Sequence, residues 1–266
     1  MVLKSKVRVL VLRTAGTNCN EETAYAFEHF GAEVDQLHVK RLVKRECLLG
    51  DYHIVAIPGG FTYGDDIASG RILANELRIS LADDIKRFIS DGKLMIGICN
   101  GFQVLVKAGI LPGPVQNKAH QDVTLTLNDS AKFEARWVCL KTGGKSPWTQ
   151  GLKGVIHMPI AHGEGKFVAR DGALLKCLDA QGQVAFRYCD VDGNSGEYPV
   201  NPNGSVDGIA GISDATGQIL GLMPHPERFF NFTQFPSWTR LKRTSEYGDG
   251  AKIFENGVRY VREQLL

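Results

Sequence analysis

The hydrophobic pattern of this chain changes character once along its length. In the first half, apolar residues fall in short, nearly unbroken runs: Val7 to Leu12, His53 to Ile57 and Leu94 to Ile98. Runs of this length, rich in β-branched residues, are expected of strands buried on both faces, as in a parallel sheet. Glu21 to Phe30 reads as a helix stopped by Gly31, and Glu33 to Val39 as a second strand, so the chain opens as a βαβ unit. Leu81, Ile85, Phe88 and Ile89 recur at helical spacing and predict a helix packed on the sheet ahead of the 94–98 strand. Phe102 to Ala108 reads as another helix. Beyond Gly109 to Gly113 the pattern alternates. Val123 to Leu127 and Phe133 to Val138 read as antiparallel strands with one wetter face. Gln183 to Tyr188 is a further strand, and Gly193 to Gly204 a surface loop. Val206 to Ile212 and Gln218 to Leu222 form a strand pair around Asp214 to Gly217, and Phe254, Gly257, Val258, Val261 and Leu265 mark a last amphipathic helix.

These elements predict an α/β fold of 266 residues, either one large domain or a domain with an added lobe. The formal net charge of +2 gives no electrostatic case for nucleic acid or an anionic membrane. No apolar run approaches a membrane span and the N-terminus lacks a signal-peptide pattern. The six cysteines are scattered without metal-ligand spacing. A disulfide framework is not expected in a chain of this size, which points to a reducing, cytoplasmic setting.

The 94–98 strand ends on a cysteine. In Gly97-Ile-Cys99-Asn-Gly101, glycines stand two positions before and after Cys99, and a helical segment follows. A lone cysteine is usually a core residue. Here the pattern is the cysteine counterpart of the nucleophile elbow, a sharp and strained strand-to-helix turn that crowds out side chains on either side. Such a turn places the sulfur above the sheet, near a helix N-terminus that favours thiolate. The 53–57 strand ends in Pro58-Gly59-Gly60, where backbone N–H groups can approach a ligand closely. Gly60 N–H beside Asn100 N–H would form an oxyanion hole. Near the end of the chain, Met223-Pro-His225-Pro-Glu227 has two prolines that predict extended backbone, in which residues two apart point the same way. Glu227 would then reach the His225 ring and leave its other nitrogen free as a base. His162, in Ala161-His-Gly-Glu-Gly-Lys-Phe167, could be a second base, but its neighbouring glycines suggest a loop that hugs a ligand. Cys19, with no bracketing glycines, reads as structural, and Asp65-Asp66 as a solvated helix start rather than a metal site. The aromatic and basic stretch from Phe229 to Tyr247, with Trp238, Arg240, Lys242 and Arg243, either docks a partner or packs back on its own domain.

Taken together, these motifs resemble class I (triad) glutamine amidotransferases. Within that group the closest resemblance is to the free-standing glutaminase subunits of phosphoribosylformylglycinamidine synthases. It rests on Gly16-Thr-Asn-Cys19 with Glu22-Thr-Ala-Tyr-Ala-Phe27, Pro58 to Gly64, Gly97 to Gln103, Ala161 to Phe167, Asn201-Pro-Asn-Gly-Ser205 and Pro224 to Arg228, in order. Thr14-Ala15 stands where Phe-Pro is more usual, and the Phe229–Gly250 segment is longer than expected. The resemblance implies a single flavodoxin-like amidotransferase domain over 1–266, with a C-terminal extension from about 229. Its sheet would be mostly parallel, with helices on both faces and additional antiparallel strands. It implies hydrolysis of L-glutamine by Cys99, His225 and Glu227. Gly59, Gly60 and Asn100 would serve the oxyanion, while Gln103, His162, Gly163 and Phe167 would position glutamine. It implies no cofactor or metal in this chain. ATP and Mg²⁺ would belong to a large synthetase subunit of purine biosynthesis, with a small accessory subunit as a further partner. Another cysteine hydrolase on the same scaffold, such as a γ-glutamyl hydrolase, and a non-catalytic regulatory subunit remain as alternatives.

Overall fold

The computed structural model of the protein describes residues 6–113, 121–242 and 245–266. The chain runs β1 (Arg8–Arg13), α1 (Asn20–His29), β2 (Glu33–His38), α2 (Val39–Val43) and β3 (Ile54–Ile57). It continues through α3 (Arg71–Ser80), α4 (Ala82–Ser90), β4 (Leu94–Ile98) and α5 (Asn100–Lys107). The alternating region supplies β5 (Val123–Thr126), β6 (Glu134–Thr142), β7 (Val155–His162), β8 (Lys166–Ala169), α6 (Gly172–Ala180) and β9 (Val184–Cys189). The chain ends with β10 (Ile209–Ser213), β11 (Ile219–Leu222) and α7 (Ala251–Gln264).

Nine strands form one sheet in the order β2-β1-β3-β4-β11-β10-β9-β6-β7, and β5 pairs with β8 in a separate ribbon. The first five are mutually parallel and the last four antiparallel. This division follows the change in hydrophobic pattern: every residue of β3, β4 and β11 is buried, whereas β7 alternates buried and half-buried positions. The strand order reverses between β1 and β3, which sends successive crossover helices to opposite faces. On one side Phe27 of α1 packs edge-on against Phe254 of α7 and against Trp148. On the other, α3 lies on α5, so closely that a Cβ on Gly70 would stand 2.8 Å from Val104 Cγ2. No helix among the described residues is long and apolar enough to cross a membrane.

Three local readings differ from the sequence expectation. Asp65 does not begin a helix; α3 starts at Arg71. The Asp65 carboxylate turns inward and accepts from Ser69 Oγ, Gly70 N and Asn100 Nδ2. The extended backbone predicted for 223–228 stops at His225 (φ −104°, ψ 91°), after which Pro226–Phe229 forms a 3-10 turn. A proline at the first position of such a turn loses no hydrogen bond, so the second proline starts a helical turn rather than prolonging a strand. Helix α6 has no counterpart in the pattern analysis, and α3 none beyond that misplaced start. Of the 229–247 stretch, the described residues pack back on their own domain: Phe229 and Phe235 close on Trp137, and Phe230 lies against Tyr25, His29 and Tyr247. Trp238 remains partly exposed, and Arg243 lies outside the described residues.

Candidate active site

Three adjacent strand ends build the site. Ile57 of β3 pairs with Gly97 of β4, and Ile98 of β4 with Leu222 of β11, all parallel. The residues that follow each strand therefore emerge side by side at the carboxyl edge of the sheet, where open α/β sheets hold their ligands. Those residues are Gly59-Gly60, Cys99 and His225. Register thus brings together groups more than a hundred positions apart.

Cys99 sits at φ +51°, ψ −105°, a backbone conformation that costs a non-glycine residue about 1–3 kcal/mol. Its amide donates to Leu222 O at 2.8 Å. The flanking glycines are required by contact. A Cβ on Gly97 would stand 2.5 Å from Gly101 O, and one on Gly101 would stand 1.9 Å from Ile57 O. The sulfur is 3.7 Å from Ala161 O. Helix α5 begins at the next residue, so its first N–H groups face the same space. Among the described residues, neither Asn100 N–H nor Gly60 N–H donates to a protein acceptor. Gly60 has φ +145°, and a Cβ there would meet Gly16 O at 2.7 Å, so the turn takes only glycine. Gly59 lies close against the imidazole; a Cβ there would be 2.7 Å from His225 Cε1.

His225 Nδ1 and Glu227 Oε1 are 2.6 Å apart, and both residues are 2 % exposed. The strong hydrogen bond fixes a proton on Nδ1 and leaves Nε2 as the acceptor. Nε2 is buried without a completed hydrogen bond, as is Glu227 Oε2. Burial by itself would lower the imidazole pKa. The Glu227 carboxylate, assisted by Cys99 and Cys19, overturns this and holds it well above the usual histidine value. The His225 amide donates to Pro159 O, which fastens the segment to β7. A cavity of about 270 Å³, lined by the paired residues 135–137 of β6 and 159–161 of β7, opens onto His225 and Arg228. A larger one of about 560 Å³ lies between the 144–151 loop and α7 and touches none of these groups.

The remaining sequence candidates surround this centre. Asn100 Oδ1 accepts from Thr62 N, while Nδ2 donates to Asp65 Oδ1 and Gln103 Oε1. Gln103 Nε2 donates to Glu164 O at 2.6 Å. One chain of hydrogen bonds therefore ties the elbow to the loop after β3 and to the loop after β7. His162 is buried, and burial, reinforced by the nearby charge of His225, pushes its pKa down to about 3. It is a neutral ring at physiological pH, a poor acceptor of protons beside His225. Its Nδ1 meets Asn128 Oδ1 at 3.1 Å, and Nε2 has no partner. Gly163 O accepts from Asn128 N. Phe167 is fully buried, and its amide donates to Ser205 Oγ.

Four contributors escaped the sequence reading. Asn128 holds the 162–165 loop through His162 O and Gly165 N. Asp65 anchors Asn100. Cys19 and Arg228 stand behind the imidazole, with Cys19 Sγ 3.9 Å from His225 Nδ1. The resemblance had marked Cys19 and Arg228 as motif residues, but only the register of distant strands shows what they touch.

Comparison with known proteins bears on this geometry. The sequence model of a family described as the CobB/CobQ-like glutamine amidotransferase domain matches residues 6–261. Phosphoribosylformylglycinamidine synthase subunit PurQ of Dehalococcoides mccartyi is 47% identical over 262 residues, spanning 97% of this chain and 99% of that protein. The subunit of the same name from Methanococcus maripaludis is 41% identical over 271 residues, spanning 97% and 99%. The solved structure of PurLQS from Thermotoga maritima includes a chain that matches with a TM-score of 0.72 and 30% identity, over 97% of this chain and all of that one (100%). A putative GMP synthase subunit from Thermoplasma acidophilum, at a TM-score of 0.57 and 12% identity over 96% and 94% of the two chains, shares the fold alone.

Proposed function

This chain belongs to the CobB/CobQ-like glutamine amidotransferase family, and from that premise we propose that it is the glutaminase subunit of a phosphoribosylformylglycinamidine synthase. The observation that carries the chemistry is the meeting of Cys99, on its strained elbow, with the His225–Glu227 pair at the ends of neighbouring strands. The names of the relatives supply the reaction it serves.

In this reading the Cys99 sulfur attacks the side-chain amide carbon of L-glutamine. His225 Nε2 takes the thiol proton and later delivers one to the leaving ammonia. Glu227 orients the ring and stabilises the imidazolium. The developing oxyanion meets the free N–H groups of Gly60 and Asn100, with Gly59 leaving room for both ring and substrate. Each such donor is worth about 10²–10³ in rate. Water then resolves the γ-glutamyl thioester. Gln103 and the His162–Phe167 loop position glutamine: the first through its bridge to Glu164, the second through a backbone held open by Asn128 and Ser205. Phe167 contributes as packing beneath that loop, and Gly163 as backbone.

Ammonia passes to a separate synthetase subunit that consumes ATP with Mg²⁺ and converts formylglycinamide ribonucleotide to the amidine. A small accessory subunit completes the assembly, which works in the cytoplasm. The Thermotoga maritima PurLQS structure supports this partnership. The test is substitution of Cys99 in the assembled complex. Cys99→Ala should abolish glutamine-dependent synthesis and leave ammonia-dependent synthesis intact. Loss of both routes would show that the division of labour is wrong.

A further inference from the structure

The Gly16-Thr-Asn-Cys19 motif takes no part in the mechanism above, yet it is built into the back of the site. Asn18 N and Cys19 N both donate to Gly59 O, and Phe61 N donates to Gly16 O. The loop after β1 therefore clamps the glycine turn that supplies the oxyanion donor. Its last residue turns a buried thiol toward the imidazole. Cys19 Sγ lies 3.9 Å from His225 Nδ1, the nitrogen already held by Glu227, and a Cβ on Gly59 would strike both Cys19 Sγ and the ring.

The hydrogen-bond partners of this sulfur define its polarity. Asn18 Oδ1, 3.1 Å away, is an acceptor only, so it receives the S–H proton. Arg228 Nη2, also 3.1 Å away, is a donor only, so it takes a sulfur lone pair. Arg228 is itself held by Glu22 of α1, at 3.4 Å. With the S–H turned toward Asn18, a second lone pair is left for Nδ1–H, 3.9 Å away. The sulfur, His225 and Glu227 lie close enough that their ligand atoms could share a metal ion. Arg228 already places a positive charge on the sulfur, and the Nδ1 proton already binds the carboxylate.

We propose that Cys19 is a positioning residue for the reacting imidazole: a neutral thiol, oriented by Asn18 and Arg228, that shares the Nδ1–H with Glu227 and so fixes both the tautomer and the aim of Nε2 at Cys99. Glu227 alone can hold Nδ1 but lets the ring pivot about a single bond; a second acceptor on another segment removes that freedom. Burial, the largest influence, keeps the Cys19 thiol protonated, and the Glu227 charge acts the same way against the opposing pull of His225 and Arg228. The groups that face the ring are Glu227 from its own turn, Cys99 from the elbow, Cys19 from the loop after β1 and His162 from β7.

This inference rests on the assignment of Cys99, His225 and Glu227 as the reacting groups. The experiment measures glutaminase kinetics in the complex with the synthetase subunit, and the pH dependence of Cys99 alkylation by a glutamine-analogue electrophile on the full chain. Wild type is compared with Cys19→Ala, Cys19→Ser and Cys19→Val, with Cys99→Ala as control. Cys19→Ala should lower kcat about tenfold to a hundredfold, the scale on which misplacement by about 1 Å acts, with KM within about twofold. The limb of the pH profile that follows the imidazolium should move to lower pH, because one acceptor for its proton is gone. Cys19→Ser, which keeps a donor for Asn18 and lone pairs for Nδ1–H, should recover most of the rate. Cys19→Val refills the volume without an acceptor and should not. Full activity in Cys19→Val, or an Ala variant with unchanged kcat and pH profile, would reduce Cys19 to packing and overturn the proposal. Glutaminase activity surviving in Cys99→Ala would instead overturn the assignment beneath it.

Discussion

Gly101→Ala is the smallest change that tests the geometry of the elbow. The added methyl would stand 1.9 Å from Ile57 O and 2.7 Å from Ile57 C, both backbone atoms of a central strand. Cβ atoms do not approach closer than about 3.0 Å, so α5 and the end of β3 must separate by about 1 Å. Neither side can yield locally. Ile57 is paired with Gly97 at the end of a strand held between β1 and β4, and Gly101 is one residue into a helix whose start is fixed by Cys99. Overpacking of this kind costs about 1–3 kcal/mol, which lowers Tm by about 2–6 °C in a chain of this length. The functional loss should be larger than the stability loss. The same shift moves Cys99 and Asn100 N–H away from Gly60, and misplacement by about 1 Å can cost about 10²-fold in rate. The assay pairs a thermal melt with kcat for glutamine hydrolysis in the complex and the alkylation rate of Cys99. A folded Gly101→Ala variant with wild-type Tm and kcat within twofold would refute the close packing of elbow against strand, and with it the reason for glycine at this position.

Glu227→Gln retains a neutral acceptor for Nδ1–H but removes the charge that opposes burial of the imidazolium; kcat should fall well beyond any change in KM, and unchanged turnover in a steady-state assay would leave Glu227 a structural role only. His162 carries a pH prediction for stability. Its native pKa of about 3 lies below the unfolded value near 6.5, so below pH 6.5 the unfolded chain binds the extra proton and stability falls as pH falls toward 3. The slope is about 1.4 kcal/mol per pH unit, or about 2 kcal/mol between pH 7 and 5. His162→Gln should remove that part of the slope in denaturant titrations at the two pH values; an identical slope in both proteins would place a charged or exposed ring at 162. Asn128→Ala withdraws the side chain that holds His162 O and Gly165 N, and should raise KM for glutamine several-fold while Cys99 keeps its reactivity toward iodoacetamide.

How much of this site the chain declares in advance depends on whether its contacts are local. The elbow was legible because its sequence signature lies within five residues. A side chain on Gly97 would collide with the backbone of Gly101, and β4 begins and ends where the apolar run does, although the clash that bars a side chain from Gly101 comes from Ile57 of the neighbouring strand. The His225–Glu227 contact was legible in outcome but not in route, since two prolines suit an extended run and the first position of a helical turn equally well. Helix α3 carried a readable signal, because Leu73 and Leu77 extend the four-residue spacing of Leu81 and Ile85 backwards along the chain. Helix α6 did too: Asp171 accepts from Leu174 N as an N-cap, and Leu174 and Leu178 follow at helical spacing. Cys19 was not legible. The motif around it marks the position but not its role, and the partner that gives it meaning is 206 positions away.

The order β1-β3-β4-β11 explains why such distant groups meet so closely. Each of these strands is parallel to its neighbour, so each ends at the same edge and releases its loop into the same space. The loop after β1 contributes Cys19, the turn after β3 Gly59 and Gly60, the elbow after β4 Cys99, and the segment after β11 His225. A shift of one residue in any pairing would invert the alternation of side chains and carry one of the four away from the others. The fully buried character of β3, β4 and β11 guards against that shift only in part, because strands apolar on both faces tolerate inversion better than alternating ones. The glycines supply the missing discrimination. Gly101 against Ile57, Gly59 against His225 and Gly60 against the loop after β1 each admit one register, the one in which the opposing backbone or ring fills the space of an absent side chain. The residues that make room for the chemistry are therefore the same ones that select the strand alignment on which it depends.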